Sequence, residues 1–258
     1  MSNTALITGA SSGIGKEFAR YHASKGGDVI LTARREAELV ALKDELENDY
    51  KISAHVFAID LGAPDGAIDL IKAVTDAKFD VDILINNAGF GGQGLHIERD
   101  LALETAMINL NVTALVTLTH EFATRMAARG SGKILNVGSI AGFMPGPNQA
   151  VYYATKAFVN SFSQAIDQEL KDKGVTCTAL APGLVETEFV KVAKLEGTGM
   201  VKGNFATAES VAKHGYDAMM AGKLMTINER SLRFMANWVI PLMPRRMMFK
   251  SIFDSQSK

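Results

Sequence analysis

Short runs of aliphatic and β-branched residues alternate with longer amphipathic stretches, and this alternation restricts the fold more than any other feature of the chain. Strands are predicted at residues 4–8, 29–32, 54–59, 83–85, 133–137 and 175–180. Helices are predicted from the turn after the first strand to about residue 25, and at 35–48, 64–78, 101–129 and 151–173. Strands separated by helices of this length indicate βαβ units. The predicted fold class is therefore α/β, a single-domain, doubly wound parallel sheet flanked by helices.

Composition and charge exclude several classes of protein. The 258 residues carry 27 basic and 28 acidic side chains, which gives no concentrated basic footprint of the kind that nucleic-acid binding requires. Cys177 is the only cysteine, so an intramolecular disulfide is impossible and a reducing compartment is favoured. The first ten residues lack the features of a secretory signal, and no apolar run approaches the roughly 18 residues of a spanning helix. We expect a cytoplasmic protein, at most peripheral to a membrane.

A glycine-rich turn at residues 8–15, TGASSGIG, follows the first predicted strand and opens the first helix. Glycines at this position let the backbone approach a pyrophosphate closely, while the helix N-terminus presents free N–H groups and a positive dipole end. A plain tight turn is the alternative interpretation, because an isolated glycine motif is weak evidence of a site. The position between strand and helix favours a dinucleotide site.

The end of the second strand distinguishes between dinucleotides. A site for NAD normally has an acidic residue there to accept hydrogen bonds from the ribose hydroxyls. This chain has Ala33, followed by Arg34 and Arg35. A guanidinium can bind a 2′-phosphate through paired, charge-assisted hydrogen bonds, although two arginines could also simply begin a surface helix. We expect NADP(H), with Arg34 as the stronger candidate ligand and Arg35 as the weaker.

Tyr152 and Lys156 are four residues apart on a predicted helix, so their side chains share one face. Free tyrosine, with a pKa near 10, is a poor base at neutral pH. A nearby ammonium and a cationic nicotinamide would both stabilise the phenolate. Lowering the pKa by about three units requires roughly 4 kcal/mol of differential stabilisation. Without other residues, a Tyr-x-x-x-Lys pair would be interpreted as an ordinary surface pair.

Ser139 strengthens the case for a reactive site. It follows the strand predicted at 133–137 and therefore lies at the carboxyl end of a strand, where open α/β sheets bind their ligands. Its hydroxyl can donate to a carbonyl oxygen while it accepts from a neighbour. The ordered candidate set is the glycine turn, Asn86-Asn87-Ala88-Gly89, Asn111, Ser139, Tyr152 and Lys156.

This ordered set resembles the short-chain dehydrogenase/reductase family, in its compact form with a Rossmann-like domain. The resemblance covers residues 4–228: the glycine turn matches the T-G-x-x-x-G-x-G loop, residues 86–89 match N-N-A-G, and Pro182-Gly183 with Thr187 matches P-G-x-x-x-T. Asn111, Ser139, Tyr152 and Lys156 match the catalytic tetrad. The expected cofactor-binding residues are Gly9, Ser11, Ser12, Gly13, Ile14, Gly15, Arg34, Arg35, Asp60, Leu61, Asn87, Ala88, Gly89, Tyr152, Lys156, Pro182, Gly183, Val185 and Thr187.

The resemblance implies a role for each member of the tetrad. Tyr152 would exchange a proton with the substrate oxygen, and Ser139 would orient and polarise that oxygen. Lys156 would lower the tyrosine pKa and bind the nicotinamide ribose, while Asn111 would position a water in the proton relay. No metal is implied. Ser12 departs from the basic residue that some NADP-preferring members have at this point, so the NADP(H) prediction depends on Ala33 and the arginines after it.

Two further segments have predicted roles. Residues 183–206 mix apolar, charged and glycine residues, and we interpret them as a lid over the site, with a solvated insertion as the alternative. Residues 229–258 have a net charge of +4 against −5 for the rest of the chain, and they interleave basic with large apolar side chains. This tail either packs over the substrate mouth or a subunit partner, which we favour, or contacts a membrane surface.

The function expected from these features is hydride transfer between NADP(H) and a carbonyl or secondary alcohol. The substrate would be largely apolar, because the expected pocket residues are Phe90, Phe143, Met144, Leu184 and Phe189. The alternatives are a reductase of 3-oxoacyl thioesters or other lipid-like carbonyls, and a non-catalytic NADP(H)-sensing protein. The helices at 101–129 and 151–173 resemble those that pair across subunits in the family, so a homodimer or homotetramer is expected.

Overall fold

A computed structural model of the protein describes residues 3–199 and 205–256. Seven parallel strands form one sheet in the order β3-β2-β1-β4-β5-β6-β9, and a second, two-stranded sheet pairs β7 with β8. The strands are β1 Thr4–Thr8, β2 Asp28–Ala33, β3 Ala54–Ala58, β4 Ile83–Asn86, β5 Gly132–Val137, β6 Val175–Leu180, β7 Val185–Glu186, β8 Ala206–Thr207 and β9 Met225–Thr226.

Helices connect the strands and cover both faces of the large sheet. They are α1 Gly13–Ala23, α2 Glu36–Tyr50, α3 Gly66–Asp76, α4 Leu101–Ile108, α5 Leu115–Arg129, α6 Ala150–Leu170, α7 Phe189–Val192, α8 Ala208–Met220, α9 Arg230–Phe234 and α10 Arg245–Gln256. The predicted doubly wound parallel sheet is confirmed. The seventh strand, β9, was not predicted, because two residues paired with Ala179 and Leu180 are too short to show a hydrophobic period.

Alternation along the central strand divides the core between the two faces of the sheet. In β1, Ala5 and Ile7 face a cluster that includes Phe18 of α1. Leu6, between them, faces the opposite cluster with Phe122 of α5. Successive side chains of a strand point to opposite faces. A strand buried on both faces must therefore be apolar throughout, as TALIT nearly is.

The helical segment Leu101–Arg129 is long and apolar enough to span a membrane by length and composition alone. This differs from the expectation that no segment would qualify. The expectation was based on uninterrupted apolar runs. The polar residues between Glu104 and Glu121 interrupt such a run, but they are uncharged and lower the mean hydropathy only slightly. A π-helical segment, Asn109–Ala114, joins α4 to α5. Leu118 and Phe122 are buried against the sheet. The core helix of a soluble protein can have the same length and apolar composition as a spanning helix.

The sheet topology determines where a ligand can bind. The connection after β1 leads to β2, which lies on one side of β1. On the other side of β1 lies β4, followed in the sheet by β5 and β6. Such a switch point leaves a crevice outside the carboxyl ends of the strands. The glycine turn follows β1 and residues 86–89 end or follow β4, so both lie at this crevice.

The segment predicted as a lid forms short elements rather than a structureless loop. Val185 of β7 pairs with Ala206 of β8, and α7 lies between them. Residues 200–204 of the predicted segment lie outside the described residues.

We expect Leu118→Ala to lower the free energy of unfolding by about 2–5 kcal/mol, because it removes a buried side chain and leaves a cavity. Leu118 is 1% exposed. Leu101, in the same helical segment, is 71% exposed, and Leu101→Ala should change the value by less than about 0.5 kcal/mol. Urea denaturation of both variants tests the packing of this helix. Equal losses would contradict it.

Candidate active site

The glycine turn closes so tightly that two of its glycines have no space for a side chain. A Cβ on Gly15 would lie 2.3 Å from the Gly9 carbonyl oxygen. Gly9 itself has φ of +67°, and its Cβ would lie 2.8 Å from Asn87 Nδ2. Helix α1 begins at Gly13, so its first free N–H groups are directed at the crevice. The turn is therefore shaped to receive the phosphates of a dinucleotide.

The Thr8 side chain connects the loops that follow β1 and β4. Its hydroxyl oxygen accepts hydrogen bonds from the backbone N–H groups of Asn87 and Ala88, each at 2.9 Å. Asn87 returns the contact, since its Nδ2 donates to the Thr8 carbonyl at 2.9 Å. The residues predicted as two separate cofactor motifs thus form one hydrogen-bonded unit.

The two arginines after β2 have different environments. Arg35 donates from Nη2 to Glu188 at 3.0 Å and to Ser11 Oγ at 3.2 Å. Its guanidinium holds the pKa of the Glu188 carboxyl below its usual range. Arg34 is exposed, and both arginines line the main cavity. Arg35 therefore connects the glycine turn to the lid, an arrangement that the sequence did not reveal.

A cavity of about 690 Å³ extends from the arginines to Ser139, Tyr152 and Lys156 of the candidate tetrad; Asn111 does not line it. Gly15 does not reach it, because this residue packs on the Gly9 carbonyl. The other expected cofactor-binding residues all line it: Gly9, Ser11, Ser12, Gly13, Ile14, Arg34, Arg35, Asp60, Leu61, Asn87, Ala88, Gly89, Tyr152, Lys156, Pro182, Gly183, Val185 and Thr187.

Ser139 and Tyr152 meet at the centre of this cavity. Ser139 caps a short 3₁₀ helix after β5, and its Oγ accepts from Ala141 N at 3.1 Å. Tyr152 lies nearby in the first turn of α6, and the Ser139 side chain favours the charged form of its phenol and so opposes a rise in its pKa. Both side chains are buried. A hydroxyl pair of this kind can hold a substrate oxygen and deliver a proton to it.

Lys156 lies one turn further along α6 and is also buried. Its Nζ donates to the Val137 carbonyl at 2.8 Å and lies 5.9 Å from the centre of the Tyr152 ring. Burial lowers the pKa of Lys156 to about 8. The predicted sharing of one helix face by Tyr152 and Lys156 is therefore observed.

The pKa of Tyr152 shifts in the opposite direction to the one expected from this pair. Burial raises it, and the Ser139 side chain only partly opposes the shift. From the sequence alone, the Lys156 ammonium was expected to lower the pKa of Tyr152. Desolvation, which depends on the folded structure, disfavours the charged form of both groups. In the protein alone, Tyr152 is therefore a neutral phenol at physiological pH.

Asn111 lies beneath the cavity in the π-helical segment. Its Oδ1 accepts from Phe90 N at 3.1 Å, while its Nδ2 donates to Phe90 O at 2.9 Å and to Thr155 Oγ1 at 3.1 Å. A Cβ on Gly89 would lie 2.9 Å from Asn111 Oδ1 and 3.5 Å from Lys156 Nζ. Asn111 therefore lies beside Lys156 and holds the Phe90 backbone; its role in positioning a water stays a prediction.

Asn160 is a positioning residue that the sequence analysis missed. Its Nδ2 donates to the Ser139 carbonyl at 3.0 Å from one turn beyond Lys156. The spacing of four residues along α6 was the available indication. Asn160 thus joins the Ser139 loop to α6, the helix that contains Tyr152 and Lys156.

Four of the five residues predicted for the substrate pocket line the cavity, namely Phe90, Met144, Leu184 and Phe189. The Phe189 ring of α7 lies 5.4 Å from the Tyr152 ring, centre to centre. Phe143 is not among the residues that line the cavity. It packs beside Ala181, Ile227 and Ala236, and its contact with a substrate stays a prediction.

The C-terminal tail closes the far end of the cavity. Gln256 Nε2 donates to Tyr153 Oη at 2.9 Å, and Gln93 Nε2 donates to the Gln256 carbonyl at 3.0 Å. The tail residues that line the cavity are Glu229, Leu232, Met235, Ile252 and Ser255. These tail residues are far from the catalytic candidates in the sequence. The sequence alone therefore gave no indication that both would line one cavity.

Comparison with known proteins places the chain in a family. Residues 3–196 match the family model described as short chain dehydrogenase. A sulfoacetaldehyde reductase from Chromohalobacter salexigens is 37% identical over 222 residues, which cover 83% of this chain and 86% of that relative.

Two solved structures share the fold over almost the whole chain. A short-chain dehydrogenase from Sphingobium yanoikuyae in complex with NADPH superposes with a TM-score of 0.84 at 30% identity, covering 99% of this chain and 98% of that one. A bulky-bulky ketone specific alcohol dehydrogenase from Comamonas testosteroni gives 0.78 at 27% identity, covering 94% and 95%.

The fold and the cavity define an α/β oxidoreductase with a dinucleotide-shaped crevice at the switch point of its sheet. The chain belongs to the short-chain dehydrogenase family. Its relatives are oxidoreductases of alcohol and carbonyl groups, and the same general chemistry applies to this protein.

We expect Lys156→Met to stabilise the fold at pH 7, because a buried ammonium with a pKa of about 8 is held there against desolvation. In the unfolded chain this lysine titrates near 10.4, so the penalty is fully present below pH 8 and is relieved as the pH rises to about 10.4. The shift corresponds to about 3 kcal/mol, reduced by about 1 kcal/mol for the lost hydrogen bond to Val137.

Urea denaturation of parent and variant at pH 7 and at pH 10 measures this effect. The stability difference should shrink at the higher pH. A variant that is less stable than its parent at pH 7, with a gap independent of pH, would show that the Lys156 ammonium is not penalised by its surroundings.

Proposed function

We propose that the protein transfers a hydride between NADP(H) and a carbonyl or secondary alcohol of a largely apolar small molecule. The observation that carries the proposal is the buried Ser139–Tyr152 pair, with Lys156 beside it, at the point where the dinucleotide-shaped part of the cavity meets its apolar part. A purely nucleotide-sensing protein would have no use for two buried hydroxyl groups at this point.

Tyr152 is suited to act as the proton donor in the reduction. Burial keeps its phenol protonated, and Ser139 holds it where a substrate oxygen can accept hydrogen bonds from both hydroxyls. As negative charge develops on that oxygen, Tyr152 gives up its proton. In the reverse direction the same oxygen atom of Tyr152 accepts the proton from an alcohol.

Lys156 supports the charge that this proton transfer leaves on Tyr152. Its Nζ is held by the Val137 carbonyl, and its ammonium would stabilise a phenolate next to it. When bound, the nicotinamide coenzyme supplies or accepts the hydride, which is the difficult part of the chemistry. Lys156 and the residues around Gly89 are placed to bind its ribose.

The preference for NADP(H) is supported by the charges at the end of β2. Ala33 provides no carboxylate to bind ribose hydroxyls or to repel a phosphate, and the guanidinium groups of Arg34 and Arg35 follow it at the cavity wall. In the coenzyme-free protein, Glu188 partly neutralises Arg35. A 2′-phosphate would replace this contact with a stronger charge-assisted one. The NADPH complex of the Sphingobium relative is consistent with this assignment.

An apolar substrate is supported by the distribution of charged side chains around the cavity. The described walls of the substrate part contain aromatic and aliphatic side chains, with the uncharged Gln149 and Ser255 among them. The cations that line the cavity are Arg34 and Arg35 at the coenzyme end and Lys156 at the junction of the two parts. The acidic Glu229 lies at the tail end. A sulfonate such as that of sulfoacetaldehyde would find no cation there among the described residues. A ketone with apolar groups fits this wall better, and the Comamonas relative is named as specific for bulky-bulky ketones.

Reduction of 3-oxoacyl thioesters or other lipid-like carbonyls remains the alternative within the same chemistry. The apolar wall would also accept an acyl chain, so a substrate panel must include both classes. Cytoplasmic location and assembly into a homodimer or homotetramer stay predictions.

We expect Tyr152→Phe to lower kcat for NADPH-dependent ketone reduction by about 10²–10⁴-fold, the usual contribution of a positioned general acid. The affinity for NADPH should be retained, because the ring and its packing are unchanged. Absorbance assays give the turnover, and quenching of protein fluorescence by NADPH gives the affinity.

Tyr153→Phe is the matched control, because the Tyr153 hydroxyl is bonded to Gln256 of the tail rather than to Ser139. This variant should retain turnover. If the two variants lost turnover equally, the assignment of the proton to Tyr152 would fail. If NADPH bound tightly to the parent protein and no carbonyl of either class reacted, the sensing alternative would be favoured.

We expect the double variant Arg34→Ala/Arg35→Ala to weaken NADPH binding by at least about 100-fold, because each hydrogen bond to a charged group contributes about 1.5–3 kcal/mol and both guanidinium groups are removed. NADH lacks the 2′-phosphate, and its affinity should change little. Separate single variants would rank the two arginines.

Arg125→Ala provides the control, since Arg125 is on α5 and pairs with Glu121. It should leave both coenzyme affinities unchanged. Parallel weakening of NADPH and NADH binding in the double variant would indicate a general loss of the site rather than recognition of the phosphate.

A further inference from the structure

The C-terminal tail has two faces with different partners. Leu232, Met235 and Ile252 point inward and line the cavity, while Ala236 and Ile240 are buried. The inward face is therefore explained by the site described above. The outward face is not, because nothing in the described parts of the chain covers it.

Large apolar side chains are exposed on this outward face. Phe234 is 63% exposed, Trp238 is 65%, Leu242 is 81% and Met247 is 66%. The first three follow one another at intervals of four residues, which places them on one side of the helical run that begins at Arg230. A cluster of exposed apolar side chains in a folded protein indicates an interaction surface.

Basic side chains accompany the apolar ones. Arg230, Arg233, Arg245, Arg246 and Lys250 are all exposed. None of the five forms an ion pair with a carboxylate in the ranges 3–199 and 205–256. Residues 229–258 have a net charge of +4, whereas the remainder of the chain has −5. Positive charge is therefore concentrated on the segment that exposes the apolar residues.

From this combination we infer that the outward face of the tail binds the surface of an anionic lipid bilayer. Apolar side chains such as Phe234 and Trp238 would enter the interfacial layer, and the surrounding cations would meet the lipid phosphates. Binding of this kind depends on buried apolar area together with electrostatic attraction to anionic lipids.

A second copy of the chain fits this face less well. Two identical surfaces meeting about a twofold axis would bring five exposed cations on each tail close together, with only one exposed carboxylate of α10, Asp254, on each tail. Like charges at an interface oppose association. An anionic bilayer supplies the compensating charge that the chain does not.

The location of this face also matters for substrate access. The same tail residues 232–252 form part of the cavity wall on the inside and carry Phe234 and Trp238 on the outside. A protein bound through this face would hold its cavity close to the bilayer, where apolar substrates concentrate. This last step depends on the proposed function, whereas lipid binding itself does not.

Trp238 is the only tryptophan in the chain, so its fluorescence reports directly on this face. We expect vesicles of phosphatidylcholine with phosphatidylglycerol to shift its emission to shorter wavelength and to co-sediment with the full-length protein. Vesicles of phosphatidylcholine alone should do so much less. Raising the salt from about 0.15 M to 1 M shortens the screening length from about 8 Å to about 3 Å and should weaken the binding.

Arg245→Gln/Arg246→Gln should weaken binding to the anionic vesicles by about 30-fold, since each cation near such a surface contributes about fivefold. Lys171→Gln/Lys223→Gln is the matched control. These two exposed lysines precede β6 and β9 and so lie at the opposite edge of the sheet. The control should bind as the parent does, and both variants should keep their ketone reductase activity in solution.

Three outcomes would overturn the inference. The first is an unchanged Trp238 emission with anionic vesicles. The second is equal weakening by the control pair. The third is a shift that occurs without lipid and follows protein concentration, with a matching change in sedimentation velocity, which would assign the face to a second copy of the chain. None of these depends on whether a carbonyl is reduced, so failure here is distinct from failure of the proposed activity.

Discussion

Parallel pairing of the strands is the constraint on which the rest of the structure depends. Parallel strands cannot be joined by tight turns, so every connection must cross a face of the sheet, and the carboxyl ends collect at one edge. Between β1 and β4 the connections diverge and leave a crevice. The Thr8 hydroxyl then joins the loops on its two sides. At the same edge lie Ser139, after β5, and Pro182-Gly183, after β6. The position of the site therefore follows from the topology.

The crevice brings polar groups together in surroundings that disfavour their charged forms. Desolvation raises the pKa of Tyr152 and lowers that of Lys156 to about 8. These opposite shifts have one cause, because burial disfavours the charged form of each group. A buried lysine kept for its charge costs stability, which is the usual relation between a functional site and the fold that holds it. The Val137 carbonyl holds Lys156 in place despite that cost, and Asn160 holds the backbone of Ser139.

The lid and the tail are joined to the site by polar contacts that span long stretches of sequence. Arg35 reaches Glu188 across 153 residues, and Gln256 reaches Tyr153 across 103. The first contact joins the end of the cavity near Arg35 to α7, and the second anchors α10 beside Tyr153. Segments outside the large sheet and far apart in the sequence therefore complete the wall of the cavity.

Much of the fold and site was contained in the sequence, because the responsible patterns are local. Strand and helix periods, the glycines around Gly9 and Gly15, and the four-residue spacing of Tyr152 and Lys156 operate over a few residues and need no knowledge of distant neighbours. What only the tertiary structure decided depends on burial and on contacts between remote segments. These are the direction of the Tyr152 pKa shift, the exclusion of Phe143 from the cavity, the pairing of Arg35 with Glu188, and the division of the tail into a buried and an exposed face. Desolvation and packing depend on everything that surrounds a side chain, and that environment exists only when the chain has folded.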